Sequence, residues 1–324
     1  MDKSLPKVTI MVITYNQEDY VCEALDSILI QDYPNIEVVV ADDASKDRTP
    51  EILKEYERKF PEIFKIILNK KNLGITGNSN IAFNASTGDF LVGLGGDDAF
   101  LPGKISAQVY EFQKDEKVVL CYHPVEIFDS ETGEILHISN QSDSEDVSSA
   151  RDIIEKGGIP GAASVMTRKS ACPKEGFDPK IPCVSDWLYF IETALNGKIV
   201  KVDGVLGRYR KHSQGTSQKT YELLEESLRV MDRVVEKHPE HKWLESCCRK
   251  GKARYLMGEA FRQLEKMDLK TSSELATRAS KLNKKSFFRA IALVCYLFFK
   301  LPLLAKILIP TLSKFKYTIR RISK

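Results

Sequence analysis

The amino-acid sequence predicts an α/β fold: a mostly parallel sheet flanked by helices, followed by a C-terminal helical extension. Three observations carry this. Short apolar, β-branched runs alternate with helical patterns through the first hundred residues, as strands buried on both faces and joined by right-handed crossovers do. After Tyr221 the apolar spacing is helical almost throughout, to about residue 282. A length of 324 residues with 43% hydrophobic and 29% charged side chains is enough to bury a sizeable core.

Taken in order, residues 8–13 form the first buried strand. Residues 20–30 form a helix with Val21, Ala24, Leu25, Ile28 and Leu29 on one side. Residues 36–41 are the second strand, and 50–60 a helix with Thr49 as N-cap and Pro50 at its first position. A third strand spans 64–68, a short helix 77–85 and a fourth strand 90–94. Beyond these, 102–114 reads as a helix, 118–128 as a strand, 129–133 as a turn and 141–149 as a polar loop. Residues 165–167 read as a further strand, and 187–196 as a helix that Gly197 ends. The expected division is a catalytic domain over 1–218, a helical extension over 219–282 and a basic amphipathic tail over 283–324.

The net charge of +3 hides an asymmetry. No acidic residue follows Glu274, whereas 12 of the 48 Lys and Arg do, leaving 36 against 45 Asp and Glu, about −9, before it. An acidic body with a basic tail points to an anionic surface as partner of the tail, and nothing in the chain points to nucleic acid. The tail alternates apolar stretches with Arg289, Lys300 and Lys306, and neither stretch supplies the ~20 apolar residues of a span. The expectation is peripheral, interfacial attachment to the inner face of a plasma membrane, the alternative being helices packed on the protein itself or in a homo-oligomer. The seven cysteines form no CxxC pair and no disulfide framework, and residues 1–7 hold no apolar signal core, so a cytoplasmic location is expected.

In an open parallel sheet, ligands bind beyond the carboxyl ends of the strands. There the sequence places Thr14-Tyr15-Asn16, then Asp42-Asp43-Ala44-Ser45-Lys46-Asp47, then Asn72-Leu73-Gly74, then Gly95-Gly96-Asp97-Asp98. Carboxylates gathered along one edge repel each other unless a ligand or cation relieves them. Asp97-Asp98 suits a hard cation such as Mg²⁺ or Mn²⁺, whose shell is completed by substrate phosphates and water. Asp also favours turns and caps, but the flanking Gly93, Gly95 and Gly96 permit close backbone approach. Asp43, with Asp42, Ser45 and Asp47, is placed to bond a nucleobase and ribose, with helix capping as the competing role of Ser45, Asp47 and Thr49.

This ordered set, with Asn80 added, resembles the family-2 inverting glycosyltransferases of the A-type fold over roughly residues 5–215. The resemblance implies a Rossmann-like nucleotide-diphospho-sugar transferase fold and a divalent metal, Mn²⁺ or Mg²⁺. It implies that Asp43 contacts the base, Asp97 the ribose and diphosphate, and Asp98 the metal, with Thr14, Tyr15, Asn16, Asn72, Gly74 and Asn80 also around the donor. Many members carry a further aspartate where this chain has Gly95. Ser185-Asp186-Trp187 is similar to the family's Glu-Asp-Trp and implies Asp186 as general base, a role compatible with capping the helix that follows. Tyr209-Arg210-Lys211-His212 through Ser217 is similar to the family's Tyr-Arg-x-His…Ser stretch. It implies a lid in which Arg210 and Ser217 meet the diphosphate and His212 meets phosphate or metal. Gly161-Ala162-Ala163-Ser164 lies where such enzymes build an acceptor floor, or it is tight packing.

The implied activity is transfer of a sugar from a UDP- or dTDP-sugar to a glycan or lipid-linked acceptor, in surface-polysaccharide synthesis. A sugar nucleotidyltransferase would place a Gly-rich, basic loop after the first strand, where this chain has Gln17-Glu18-Asp19. A non-catalytic carbohydrate or nucleotide binder would not need Asp186, and a membrane-bound scaffold would need only the tail.

Overall fold

In the computed structural model, which describes residues 5–140, 146–157, 159, 161–212 and 221–309, the chain divides into two units, Met1–Gln218 and Lys219–Lys324. The β-branched runs form the centre of a seven-stranded sheet in the first unit. Strands β1 (Val8–Thr14), β2 (Ile36–Asp42), β3 (Phe64–Leu68) and β4 (Phe90–Gly95) pair in parallel, in the order β4-β1-β2-β3. Val8, Ile10, Val12, Val38, Val40 and Val92 are fully buried, as strands covered on both faces require. Thr14 sits opposite Asp42 and Ile13 opposite Gly95, so three strands end at one level and their loops share an edge.

Helices α1 (Val21–Leu29), α2 (Thr49–Lys59) and α3 (Gly74–Ala85) cross between these strands. Thr49 is the first residue of α2 rather than its N-cap, and its hydroxyl accepts from the Gln17 amide at 2.9 Å. The side chain expected to start a helix instead ties the β1 loop to α2.

The rest of the unit departs from a simple parallel sheet. After β5 (Ala99–Phe100) and α4 (Lys104–Lys114), the run expected as one strand splits into β6 (Val118–Tyr122) and β7 (Val125–Asp129), which belong to different sheets. Pro124 lies at the break, where it cannot donate to a ladder. Then come β8 (Ile135–Ile138), α5 (Ala150–Lys156), β9 (Met166–Arg168), α6 (Ser185–Ala194), β10 (Lys198–Lys201) and β11 (Gly207–Lys211). The large sheet continues as β10-β6-β9-β4, with β9 antiparallel to both neighbours. A second, four-stranded sheet runs β5-β11-β7-β8.

Polar side chains are buried behind this junction. Lys104 is fully buried, donates to Gln108 Oε1 and lies over the Phe100 ring, 4.5 Å from its centroid. Burial lowers its pKa to about 7. Gln108 in turn donates 2.9 Å to the Ser164 carbonyl, bracing the segment before β9.

The second unit is helical: α7 (Leu224–Lys237), α8 (Trp243–Glu265), α9 (Leu269–Leu282), α10 (Ser286–Lys300) and α11 (Pro302–Ile309). Leu228, Leu256, Met257, Leu275 and Ala276 form its core, and Cys295 of α10 is buried in the same cluster. Residues 286–309 therefore pack as part of this helical unit.

Candidate active site

The register of the parallel strands builds one polar edge. The Asp43 amide donates to the Thr14 carbonyl at 2.9 Å, and the Gly96 amide to the Ile13 carbonyl at 3.0 Å, so the β2 and β4 loops are pinned on either side of the β1 end. Asn16 takes φ +50°, a left-handed conformation that Asn tolerates better than most residues. This turns its amide onto Ser45 Oγ at 2.8 Å and its Oδ1 onto the Lys46 amide at 2.8 Å.

A cavity of about 790 Å³ opens at this edge, within the size range of small-molecule sites. Thr14, Tyr15, Asn16, Asp43, Asn72, Gly74, Asp97, Asp98, Asp186, Arg210 and His212 all line it. Eleven residues drawn from strand ends, loops and helix starts thus line one cavity. Of the Gly161-Ser164 stretch, Gly161 reaches the cavity, while Ser164 is fully buried and donates to the Gly161 carbonyl. Ser217 lies outside the described residues.

Two expected placements are corrected. Asn80 is off the wall: its amide donates 2.7 Å to the Phe177 carbonyl and accepts 2.8 Å from the Phe177 amide. Helix α3 begins at Gly74, three residues earlier than expected, and presents Ile75, Asn78 and Ser79 to the cavity at i, i+3, i+4 spacing. Asn78 holds the site from within, donating to the Ala41 carbonyl and accepting from Asn69 Nδ2, both at 2.8 Å. Asp42 and Asp47 are also off the wall. Asp42 accepts from the Ser45 amide and hydroxyl, and Asp47 from the Glu18 and Thr49 amides. These two carboxylates shape the loops.

Arg210 lines the cavity as expected and is also tied into the protein. Its guanidinium lies between the Tyr20 and Phe128 rings, 4.8 and 4.6 Å from their centroids. Its Nε donates 2.8 Å to the Asp97 carbonyl, and its Nη2 pairs with Glu23. Its backbone amide donates 3.0 Å to Asp98 Oδ1. Arg210 therefore fixes the Asp97-Asp98 turn against β11.

Asp43 faces the cavity with both oxygens already accepting, from the Leu73 amide at 2.7 Å and the Gly74 amide at 2.9 Å. It fixes the start of α3; Oδ1 also accepts from Asn69 Nδ2 at 3.3 Å, so Oδ2 is the oxygen that keeps a further lone pair. Asp186 sits in the first turn of α6, where its Oδ1 accepts from the Trp187 amide at 2.8 Å. Thr76 of α3 locks the approach to that turn: its hydroxyl lies 2.6 Å from Ser185 Oγ and 2.6 Å from the Ile181 carbonyl.

Asp97 and Asp98 are arranged by a glycine. A Cβ on Gly95 would lie 2.6 Å from Asp97 Oδ1 and 3.5 Å from Asp98 Oδ2, so the two oxygens converge over the bare Gly95. The other Asp97 oxygen meets His212 Nε2 at 2.9 Å. Burial first, then the neighbouring Asp97 carboxylate, raises the Asp98 pKa well above the ordinary range, against the lowering bond from the Arg210 amide. Two carboxylates in this enclosure favour positive charge between them.

Sequence reasoning missed other wall residues. Thr14 Oγ1 was expected there, but Gln17 Oε1 was not; both are buried without a protein hydrogen bond among the described residues, beside Gly96. Orphaned polar atoms on a cavity wall are groups for a ligand or water to satisfy. Gln17 belonged to the acidic stretch after the first strand and carried no signal of its own. Tyr20, 5.3 Å from the His212 ring, was hidden inside an apparent helix start.

The family model described as Glycosyl transferase family 2 matches residues 9–171, half of the chain. This chain belongs to glycosyl transferase family 2. The sheet, with its helices and C-terminal helical unit, is the nucleotide-diphospho-sugar transferase fold expected. An uncharacterized protein of Mycobacterium tuberculosis (strain H37Rv) is 32% identical over 221 residues, 66% of this chain and 61% of that protein. An uncharacterized glycosyltransferase of Nostoc sp. (strain PCC 7120) is 30% identical over 213 residues, 64% of this chain and 65% of its own. Each match thus spans under two thirds of the relative's length. Among solved structures, residues 1–349 of S. aureus TarS in complex with UDP-GlcNAc superpose with a TM-score of 0.61 at 18% identity, covering 90% of this chain and 89% of that one. A mannosyltransferase from Pyrobaculum calidifontis in complex with GDP-Man and Mn²⁺ gives 0.55 at 16% identity, covering 91% and 87%.

The donor set of this family-2 transferase fits a hard cation that relies on its substrate for most ligands. No group of three or more His, Cys, Asp or Glu that could hold a metal ion exists among the described residues. The two oxygens over Gly95 match the one or two carboxylates such ions take beside substrate phosphates. His212, expected as a ligand, turns its Nε2 to Asp97 and so orients that carboxylate.

Proposed function

We propose that this family-2 glycosyltransferase moves a sugar, with inversion, from a UDP- or dTDP-sugar to a hydroxyl of a glycan or lipid-linked acceptor in surface-polysaccharide synthesis. The observation that carries the reading is the meeting of Asp43, Asp97, Asp98 and Asp186 on one cavity wall. Three of these acids suit a donor that arrives with a cation, and the fourth lies in the first turn of α6.

Asp98 and Asp97 would hold Mn²⁺ or Mg²⁺; bound there, the ion neutralises the departing diphosphate. The remaining lone pair of Asp43 Oδ2 suits a ring N–H of uracil or thymine, while Thr14 Oγ1 and Gln17 Oε1 offer further partners to the nucleoside. Asp186 accepts the proton of the acceptor hydroxyl as that oxygen bonds to the anomeric carbon. The bond from that carbon to the diphosphate oxygen breaks, and its electron pair leaves with the nucleoside diphosphate. The backbone bond from Trp187 keeps the Asp186 carboxylate oriented through this exchange.

The test incubates the purified chain with a nucleotide-sugar panel and Mn²⁺ or Mg²⁺, following nucleotide products. Nucleoside diphosphate release with a UDP- or dTDP-sugar, lost on chelation, supports the reading. Pyrophosphate release from sugar phosphate and nucleoside triphosphate would make the chain a nucleotidyltransferase. Tight donor binding without turnover on any acceptor would make it a binder.

A further inference from the structure

Helix α10 carries two apolar stripes, and the protein covers one. Phe288, Ile291, Ala292, Cys295 and Phe298 face the interior of the helical unit. Phe287, Leu293 and Leu297, at helical spacing on the other side, are exposed, as is Leu301 just past the helix end; Phe287 is 66% exposed. Helix α11 repeats the arrangement: Ala305 is buried, whereas Leu303, 77% exposed, and Leu304 face out. A helix apolar all round belongs in an apolar surrounding, and here half of that surrounding comes from outside the chain.

Charge selects the occupant. Lys284, Lys285, Arg289, Lys300 and Lys306 border these stripes and are exposed. The Lys300 ammonium lies over the exposed Tyr296 ring, 5.6 Å from its centroid, an apolar body with a cationic tip. No carboxylate follows Glu274 to balance these cations. A second copy docking the same face would bring cations against cations, whereas an anionic lipid surface supplies both acyl chains and countercharge. Geometry sets the depth. At 15 residues α10 is about 22 Å long, short of the ~30 Å hydrocarbon core. No single described helix is long and apolar enough to cross a membrane, and α11 leaves α10 at 117°.

We propose that α10 and α11 form a bent wedge that lies in the interface of an anionic membrane without crossing it. A chain ending at Leu282 is unsuited to test this, because it would also strip Cys295 and Phe298 from the core.

The test floats the full chain with phosphatidylcholine vesicles, with or without phosphatidylglycerol. The wild type is expected on the anionic vesicles, released by salt. The exposed-face double variant Phe287→Asp, Leu303→Asp should lose at least about tenfold in partitioning while keeping its thermal transition. Reversing Lys300 or Lys306 to Glu should cost about fivefold or more each. Absence from both vesicle types, or equal partition onto both, would overturn the proposal. So would a wild-type dimer that the double variant converts to monomer with vesicle binding unchanged, since a second copy would then cover the face.

Discussion

The two units handle mismatched surface in opposite ways. In the first, polar groups are drawn into a cavity, and most are held by named partners: Asp43 by two amides, Asp97 by His212, Asp98 by the Arg210 amide. In the second, apolar groups are pushed out, and α10 shows leucines and phenylalanines on the face its own core does not use. Each is costly for folding alone, since acids crowd together in one and greasy side chains meet water in the other. Each arrangement is consistent with a partner supplied from outside, a charged donor in the first and a lipid surface in the second.

The largest expected effect breaks the first half of this comparison. Replacing Asp186 with Asn removes the proton acceptor and keeps the shape, so kcat should fall by about 10²- to 10⁴-fold with donor affinity retained. Calorimetric titration of the donor beside single-turnover kinetics reads both quantities. Near-normal turnover would sink the base assignment.

The next contrasts the two faces of one helix by the same substitution. Phe298→Ala removes a ring that is 5% exposed and should cost about 3–5 kcal/mol of unfolding free energy in the helical unit. Phe287→Ala removes a ring from the outward face and should change stability by no more than about 0.5 kcal/mol. Urea denaturation followed by helix circular dichroism measures both. A large loss at Phe287 would mean that its ring is used by the fold.

Arg210→Lys is expected to cost about 1–3 kcal/mol and to reduce turnover, since an ammonium cannot reach Glu23 and the Asp97 carbonyl while stacking between Tyr20 and Phe128. Were Arg210 mainly a phosphate contact, donor KM would rise with stability unchanged, and that split decides between the roles.

Much of this was legible. The strands announced themselves through β-branched runs, and polar residues after each strand converged because parallel register aligns strand ends. What failed to show were features set by packing. The face of α3 depended on a start at Gly74, so Asn80 turned to Phe177 while the unnoticed Asn78 took the wall. The second sheet was hidden because β5 has two residues and β8 is exposed along most of its length, leaving little periodicity. Pro124 was the available sign that 118–128 is two strands. Arg210 read as a phosphate group because its type suits one; its contacts with the Tyr20 and Phe128 rings and Glu23 did not show, because these come from distant parts of the chain. Gly95 read both as a departure from the family's pattern and as room for close backbone approach; what did not show is that its missing Cβ makes room for Asp97 Oδ1.

The smallest effect concerns a buried group outside the cavity wall. His123 is 0% exposed, and its Nδ1 lies 2.8 Å from the Pro124 carbonyl. That oxygen can only accept, so Nδ1 holds the proton, and Nε2 is left without a protein partner among the described residues. Charging the ring would put a proton on Nε2 in a buried site near Lys104. Burial, then Lys104, lowers the His123 pKa from 6.5 to about 3. Between those values the unfolded chain holds a proton that the folded chain refuses, so unfolding binds protons and stability rises with pH. The contribution is complete above pH 6.5 and is lost as pH falls through the window, at about 1.4 kcal/mol per pH unit. Other groups titrate there too, so the informative quantity is the difference between wild type and His123→Asn. From pH 7 to pH 5 that difference should move by about 2 kcal/mol in favour of the variant. Parallel curves over that range would show that the folded protein accepts a proton at His123, and hence that Nε2 meets solvent or an acceptor.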